Sequence, residues 1–343
     1  MKRFALIFAA ALAAYVVPAS AQSYQAGMTE LNIPDTEGQR DLKGRLWFPT
    51  EATGPRHDDF KSAVWVGTPV VRNALPIDGQ FPLVVVSHGM FGNVDNQAWF
   101  AAAMARRGYV VAAINHPGTS TWSRDPDQRR QLWERPKDIS RVIDYATTSA
   151  KLSALVDPAR VFVAGHSLGG FTAALLAGAR YDASGLKRFC DKNPEELTCN
   201  ILADWDIART AEDIVQMEAD LSDPRIEAFA TFDLGGTQSF SKASLGQVRK
   251  PMLVFGASLM DSGLKLDIES RALIQALPPK IAMYVEPETL SHFDFLGECK
   301  PGGFEILKLE EPGDEIICRN GGAQRAAKHD LIIATVDGFF SRR

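Results

Sequence analysis

The chain has 343 residues, 45% of them hydrophobic and 23% charged, with a formal net charge of -5. That is the composition of an ordinary globular protein, and the length is compatible with one large α/β domain. The acidic balance argues against nucleic acid as a partner.

The N-terminal stretch MKRFALIFAAALAAYVVPASAQS places Lys2 and Arg3 before an apolar run, Phe4 to Val17, that ends in the small residues Ala19-Ser20-Ala21. This order predicts a cleavable secretory signal peptide over residues 1–21, cut after Ala21, and a secreted or periplasmic protein of residues 22–343. The run is shorter than the roughly 20 residues a membrane-crossing helix needs, so no stable membrane span is expected. Losing two basic residues and no acidic one would take the formal charge from -5 to -7. Four cysteines, Cys190, Cys199, Cys299 and Cys318, in a chain bound for an oxidising compartment predict two disulfides. Local pairing, Cys190 with Cys199 and Cys299 with Cys318, is favoured because each pair brackets a loop-like segment. Zinc is a weak alternative, since neither pair has C-x-x-C spacing.

Antiparallel strands are expected over Met28–Ile33 and Gly44–Phe48. Short apolar runs then alternate with helix-like segments. Strands are predicted at Phe81–Ser87, Gly108–Gly118, Arg160–Ala164, Ile226–Leu234, Pro251–Ala257 and Ile281–Glu286. Helices are predicted at Ala98–Arg107, Asp138–Thr148, Leu168–Gly178, about Asp267–Leu277 and about Gln324–Phe340. Fully apolar strands are buried on both faces, and βαβα order with right-handed crossovers gives a mostly parallel sheet flanked by helices. The rhythm breaks between the helix after Ser167 and the strand at Ile226. There, about 180–225, an insertion with a helix near Ala208–Leu221 is expected either to cap the sheet edge or to cover a flank.

Within VFVAGHSLGGFTA, the strand runs into Gly165-His166-Ser167-Leu168-Gly169 and then a helix, the context in which G-x-S-x-G marks a nucleophile turn. The turn lifts the Ser167 hydroxyl above the sheet, at a helix N-terminus that favours developing negative charge. The backbone N–H groups of Leu168 and of Met90, in SHGMFG at the end of the first long strand, are candidates for the two oxyanion donors. A serine is a weak nucleophile without a base. Among six histidines, His292 lies after the last strand, where triad enzymes of this chain order carry the base. His88 and His166 are read as structural, His329 as a solvated helix residue and His57 as part of a charged loop. Asp233 and Asp261 both end suitable strands; Asp233, followed by two glycines, is favoured as the acid and Asp261 is the close alternative, with Asp294 a weaker local one. Phe91, His116, Trp122 and Trp205 are candidates to line a substrate pocket, the other reading being ordinary packing of loops.

The ordered set VVVSHGMFGN, GYVVAAINHPG, LWERPKDISRVID, VFVAGHSLGGFTA, PMLVFGAS and LSHFDFL resembles the secreted α/β-hydrolases related to dienelactone hydrolase and platelet-activating factor acetylhydrolase. The resemblance implies the α/β-hydrolase fold, Ser167 as nucleophile, His292 as base, Met90 and Leu168 as oxyanion donors, and hydrolysis of a small-molecule ester or related acyl bond without metal or organic cofactor. Acetylhydrolase-like members place their acid like Asp233, dienelactone-like members like Asp261. Dienelactone hydrolase has Cys where this chain has Ser, so its small-lactone substrate is not implied. An amidase, a peptidase or a carbon–carbon hydrolase would use the same triad, and a secreted binding protein could keep the fold without the chemistry.

Overall fold

The computed structural model describes residues 24–36 and 40–343. The expected signal peptide and its cleavage point lie outside the described residues. Ten strands form one sheet: β1 (Gln25–Ile33), β2 (Leu42–Thr50), β3 (His57–Asp59), β4 (Thr68–Arg72), β5 (Phe81–Ser87), β6 (Val110–Asn115), β7 (Val156–His166), β8 (Ile226–Phe232), β9 (Met252–Phe255) and β10 (Ala282–Val285). Their order is β10-β9-β8-β7-β5-β6-β2-β1-β4-β3. The six from β5 to β10 are mutually parallel, and β2 joins β6 antiparallel, with β1 antiparallel to β2.

Alternation along β5 shows why its run is apolar throughout. Leu83 and Val85 face one side, packing with Ile139, Val142 and Ile143 of the helix Glu134–Thr148 and with Phe171 of the helix Leu168–Leu176. Val84 and Val86 face the other, with Phe100 of the helix Ala98–Ala105 and Ile332 and Val336 of the helix Ala323–Phe340. A period of two puts successive side chains on opposite faces, so a strand covered on both sides has no polar position to spare. The result is a three-layer stack in which every parallel strand ends at one edge. Among the described residues no helix is long and apolar enough to cross a membrane.

The insertion holds three helices, Ala183–Cys190, Leu197–Asp204 and Ala211–Met217, the first two tied by the Cys190–Cys199 disulfide. The last of these is shorter than the helix expected over Ala208–Leu221, because Thr210 caps it with a reciprocal bond to Asp213. A second excursion, after β10, carries the helix Gly303–Glu310 and is closed by Cys299–Cys318. Two strands at one end of the sheet have no counterpart in the sequence reading. β3, the edge, is the charged triplet His-Asp-Asp, which an edge strand tolerates; β4 lies between β3 and β1 but pairs with β1 only at Val71 and Arg72, so Pro69 falls outside that ladder, and neither strand shows an apolar alternation.

Candidate active site

Ser167 stands between the end of β7 and its helix with φ 53° and ψ -116°, a conformation that L-residues avoid and that costs on the order of 1–3 kcal/mol. Neighbouring glycines make it possible. A Cβ on Gly165 would lie 2.0 Å from the Gly169 carbonyl oxygen, and one on Gly169 would lie 1.9 Å from that of Ser87. The Ser167 N–H donates to the Phe232 carbonyl (3.0 Å), fixing the turn to β8.

His292 begins a 3-10 turn, His292–Phe295, beyond β10. Its Nδ1–H donates to Asp233 Oδ2 at 2.7 Å, and both side chains are buried. That bond fixes the tautomer and leaves Nε2 with its lone pair. Asp233 follows β8 at φ 45°, and its other oxygen accepts from the Ala257 N–H at 2.9 Å. Asp261 serves the same loop differently: it accepts from Ser291 Oγ at 2.7 Å, one residue before the histidine, and does not hold the ring. Asp294 is paired with Arg325 (3.3 Å) and Lys328 (2.5 Å) and anchors the loop from beneath. His166 donates from Nε2 to the His292 carbonyl (2.9 Å); burial lowers its pKa well below the ordinary value, so it is a neutral strut.

The loop carrying Met90 is held by a buried cation. Arg135, in the first turn of the helix Glu134–Thr148, donates to the His88 carbonyl (2.6 Å), Ser87 Oγ (3.1 Å), Thr119 Oγ1 (2.6 Å) and Thr172 Oγ1 (3.0 Å). Thr172 in turn donates to the Leu168 carbonyl at 3.0 Å, and the Thr119 carbonyl accepts from the Phe91 N–H at 2.9 Å. One guanidinium therefore links the segment bearing the Met90 N–H to the helix bearing the Leu168 N–H. Burial pushes its pKa down to about 9, which leaves it charged at neutral pH. Among the described residues the Met90 N–H makes no backbone hydrogen bond, and Leu168, as first residue of its helix, has no intrahelical acceptor.

Beside this cation lies a second Ser–His–Asp chain. Ser87 Oγ is 3.0 Å from His116 Nε2, and His116 Nδ1 is 2.9 Å from Asp138 Oδ2, which Arg40 grips with two bonds of 2.7 Å. All three side chains are buried, and Ser87 Oγ already accepts from Arg135. His116, expected in the pocket, is instead sealed in this network, because Asp138 and Ser87 satisfy both of its ring nitrogens. Desolvation first, then Arg135 and Arg40, hold its pKa well below the ordinary value.

Ser167, His292, Met90 and Leu168 open on one cavity of about 960 Å³. Of the pocket candidates, Phe91, Trp122 and Trp205 lie along it, with Phe91 and Trp205 rings 5.3 Å apart and Arg124 stacked 4.7 Å over Phe91. The insertion adds Leu197, Ile201 and Leu202 to this wall. Glu269 fastens the insertion to the sheet edge, accepting from Thr198 Oγ1 (2.8 Å) and from the Thr237 N–H (2.7 Å). Burial raises its pKa from 4.5 to about 7 against these bonds, which favour the charged form. A carboxylate with its folded pKa above its unfolded one binds more protons when folded, so it withdraws stability as pH rises from about 4.5 to about 7. Glutamine could make both contacts without charge. Glu269→Gln is expected to match the parent at pH 4 and to exceed it by about 2–3 kcal/mol at pH 8 in denaturant titrations; an equal gain at both pH values would contradict this account.

Comparison with known proteins follows the same lines. Residues 80–187 match the family model Hydrolase_4, described as serine aminopeptidase, S33. A ferulic acid esterase from Streptomyces cinnamoneus superposes over 96% of this chain and 92% of its own with a TM-score of 0.60 at 21% identity. The chain has the α/β-hydrolase fold. Cutinase est1 of Thermobifida alba is 33% identical over 101 residues, 29% of this chain and 31% of that one. A bis(hydroxyethyl) terephthalate hydrolase of Streptomyces coelicolor is 31% identical over 93 residues, 27% of each chain. Cutinase 2 of Thermobifida cellulosilytica is 29% identical over 164 residues, 47% of this chain and 56% of its own. The matched stretches thus span between 27% and 56% of these relatives' length.

Within the α/β-hydrolase frame, one further histidine takes a place the sequence reading did not give it. His329, expected in solvent, is buried: it stacks on Trp99 at 3.5 Å, and Nε2 lies 2.9 Å from the Asp294 carbonyl and 3.0 Å from that of Leu296. Burial pushes its pKa down to about 3. His88 is structural, its Nε2 accepting from the His116 N–H at 3.0 Å. The role of Arg135 had one available signal, an arginine and an aspartate one helical turn apart on a face that is otherwise apolar, within LWERPKDISRVID.

Proposed function

We propose that this protein is a serine hydrolase that cleaves carboxylic esters through an acyl-enzyme. The observation that carries the reading is the 2.7 Å contact between His292 Nδ1 and the buried Asp233, with the ring and a strained Ser167 opening on one cavity. Ser167 Oγ attacks the ester carbonyl carbon while its proton passes to His292 Nε2. The carbonyl oxygen, now negative, is received by the N–H groups of Met90 and Leu168. The C–O bond then breaks, the leaving oxygen takes the proton from His292, and a water activated by the same ring releases the acyl group. The scheme calls on protein groups and water alone.

Ester rather than amide cleavage is favoured by the relatives, which are named as cutinases and as a bis(hydroxyethyl) terephthalate hydrolase, and by the fold neighbour, named as a ferulic acid esterase. The insertion acts as a cap whose inner face forms the acyl side of the pocket. Its disulfide, that of the second excursion, and the leader-like residues 1–21 support export from the cytoplasm.

The test is turnover of p-nitrophenyl esters of increasing acyl length together with labelling by a fluorophosphonate. We expect turnover and one label per chain, carried by the peptide containing Ser167. Folded, disulfide-bonded protein that is neither labelled nor active would remove this reading.

A further inference from the structure

The cavity has two apolar walls that belong to different parts of the molecule. Phe91, Phe171, Leu202 and Trp205 form one, and they pack with the core on the nucleophile helix's side of the sheet. The other consists of Val64, Trp65, Ile306, Leu307 and Ile317, a separate apolar cluster that includes Cys299 and Cys318.

This second wall continues the loop of the base. From His292 the chain passes Phe293, Leu296 and Gly297, all lining the cavity, and reaches Cys299. There it pairs with the segment that carries Val64 and Trp65 of the same wall: Trp65 bridges to Cys299, Val66 N–H donates to the Glu298 carbonyl (2.9 Å), and Lys300 N–H donates to that of Val64 (2.7 Å). The loop is fixed from below, since the Phe295 carbonyl accepts from Gln97 Nε2 and Trp99 Nε1, each at 3.2 Å.

Chemistry then assigns the walls. The leaving oxygen must come within hydrogen-bond reach of His292 Nε2 to take its proton, so the alcohol portion lies on the base's side. The acyl portion stays bonded to Ser167, at the N-terminus of the helix that belongs to the other wall. We propose that the Val64–Trp65 and Ile306–Ile317 wall is the leaving-group subsite, and that the ester cleaved carries a bulky apolar alcohol of ring size or larger. A methyl or ethyl ester would leave the partly buried Trp65, Ile306 and Ile317 facing water, whereas a ring there would remove that apolar surface from it. A cavity of about 960 Å³ accommodates a substrate that is large on both sides of the scissile bond.

This inference rests on the esterase reading, and its test separates the two. Butyrates of ethanol, 2-phenylethanol and 2-(2-naphthyl)ethanol share a primary alcohol of similar acidity, so acid release at constant pH reports fit rather than leaving-group reactivity. With the full-length, disulfide-bonded protein, kcat/KM is expected to rise about tenfold or more from the ethyl to the naphthylethyl ester. Trp65→Ala and, as a second variant in case the first does not fold, Ile317→Ala should collapse that ratio toward one. Leu202→Ala should alter the dependence on acyl length while the ratio between alcohols persists. Equal rates for the three alcohols in a protein that fluorophosphonate labels at Ser167 would overturn the subsite and leave the esterase reading standing. Variants on the two walls that shift both series alike would also overturn it. No hydrolysis and no label would overturn both.

Discussion

Asp233→Asn is expected to lower kcat for ester hydrolysis by about four orders of magnitude, while Asp261→Asn lowers it by less than about tenfold. The difference follows from what each carboxylate touches. Asp233 receives the Ala257 N–H on one oxygen and His292 Nδ1–H on the other. An asparagine there keeps its carbonyl on the Ala257 N–H, the one donor it can satisfy only with oxygen, and so turns its NH2 toward the imidazole. Nδ1 must then accept, the ring proton moves to Nε2, and the nitrogen that should take the serine proton is blocked. Asp261 instead receives the Ser291 hydroxyl, and an amide oxygen can do the same. Steady-state rates for the two variants, each checked for folding by circular dichroism, decide between the carboxylates. A large loss in Asp261→Asn with Asp233→Asn near the parent would reverse the assignment.

The central sheet was legible because β5 to β9 run through a core covered on both faces and are nearly free of polar residues there, and because the edge strand β10, only half-buried, is still apolar in sequence. Predicted and observed bounds differ by a few residues, most at β7, which begins at Val156 rather than Arg160 because the largely exposed segment Asp157–Arg160 continues the strand past the core. The nucleophile turn was legible for a different reason: a Cβ on Gly165 or Gly169 would lie 2.0 or 1.9 Å from a carbonyl oxygen, far inside contact, a constraint that leaves a mark in sequence. What sequence could not separate were groups whose roles depend on contacts distant in the chain. Asp233 and Asp261 end adjacent strands in similar surroundings, and only the direction of the His292 loop distinguishes them. His116 and His292 each hold an aspartate through Nδ1, at 2.9 Å and 2.7 Å, and what lies around the ring tells them apart: His116 meets a serine already gripped by a guanidinium, while His292 opens with Ser167 on the cavity. The wall at Trp65 joins segments more than 200 residues apart, with no local pattern announcing the contact.

Arg135→Lys is expected to lower kcat about a hundredfold, with KM changed by no more than a few-fold, as does loss of an oxyanion donor. Lysine retains the charge but has one compact ammonium where the guanidinium fork reaches four acceptors on three segments. The His88 carbonyl and Thr172 cannot then be held together, and the spacing between the Met90 and Leu168 N–H groups relaxes. Such a change acts on the oxyanion more than on the bound ester, so affinity for an alkylboronic acid, whose tetrahedral adduct with Ser167 mimics the intermediate, should fall by the same factor as kcat. Stability falls as well, because buried acceptors lose donors at about 1–3 kcal/mol each. Thr172→Val separates the two effects. It removes one link, between Arg135 and the Leu168 carbonyl, with little change in volume, and it is expected to lower kcat and boronate affinity together by about tenfold. If either variant loses only thermal stability, with kcat and boronate affinity at parent values, Arg135 supports the fold without setting the oxyanion geometry.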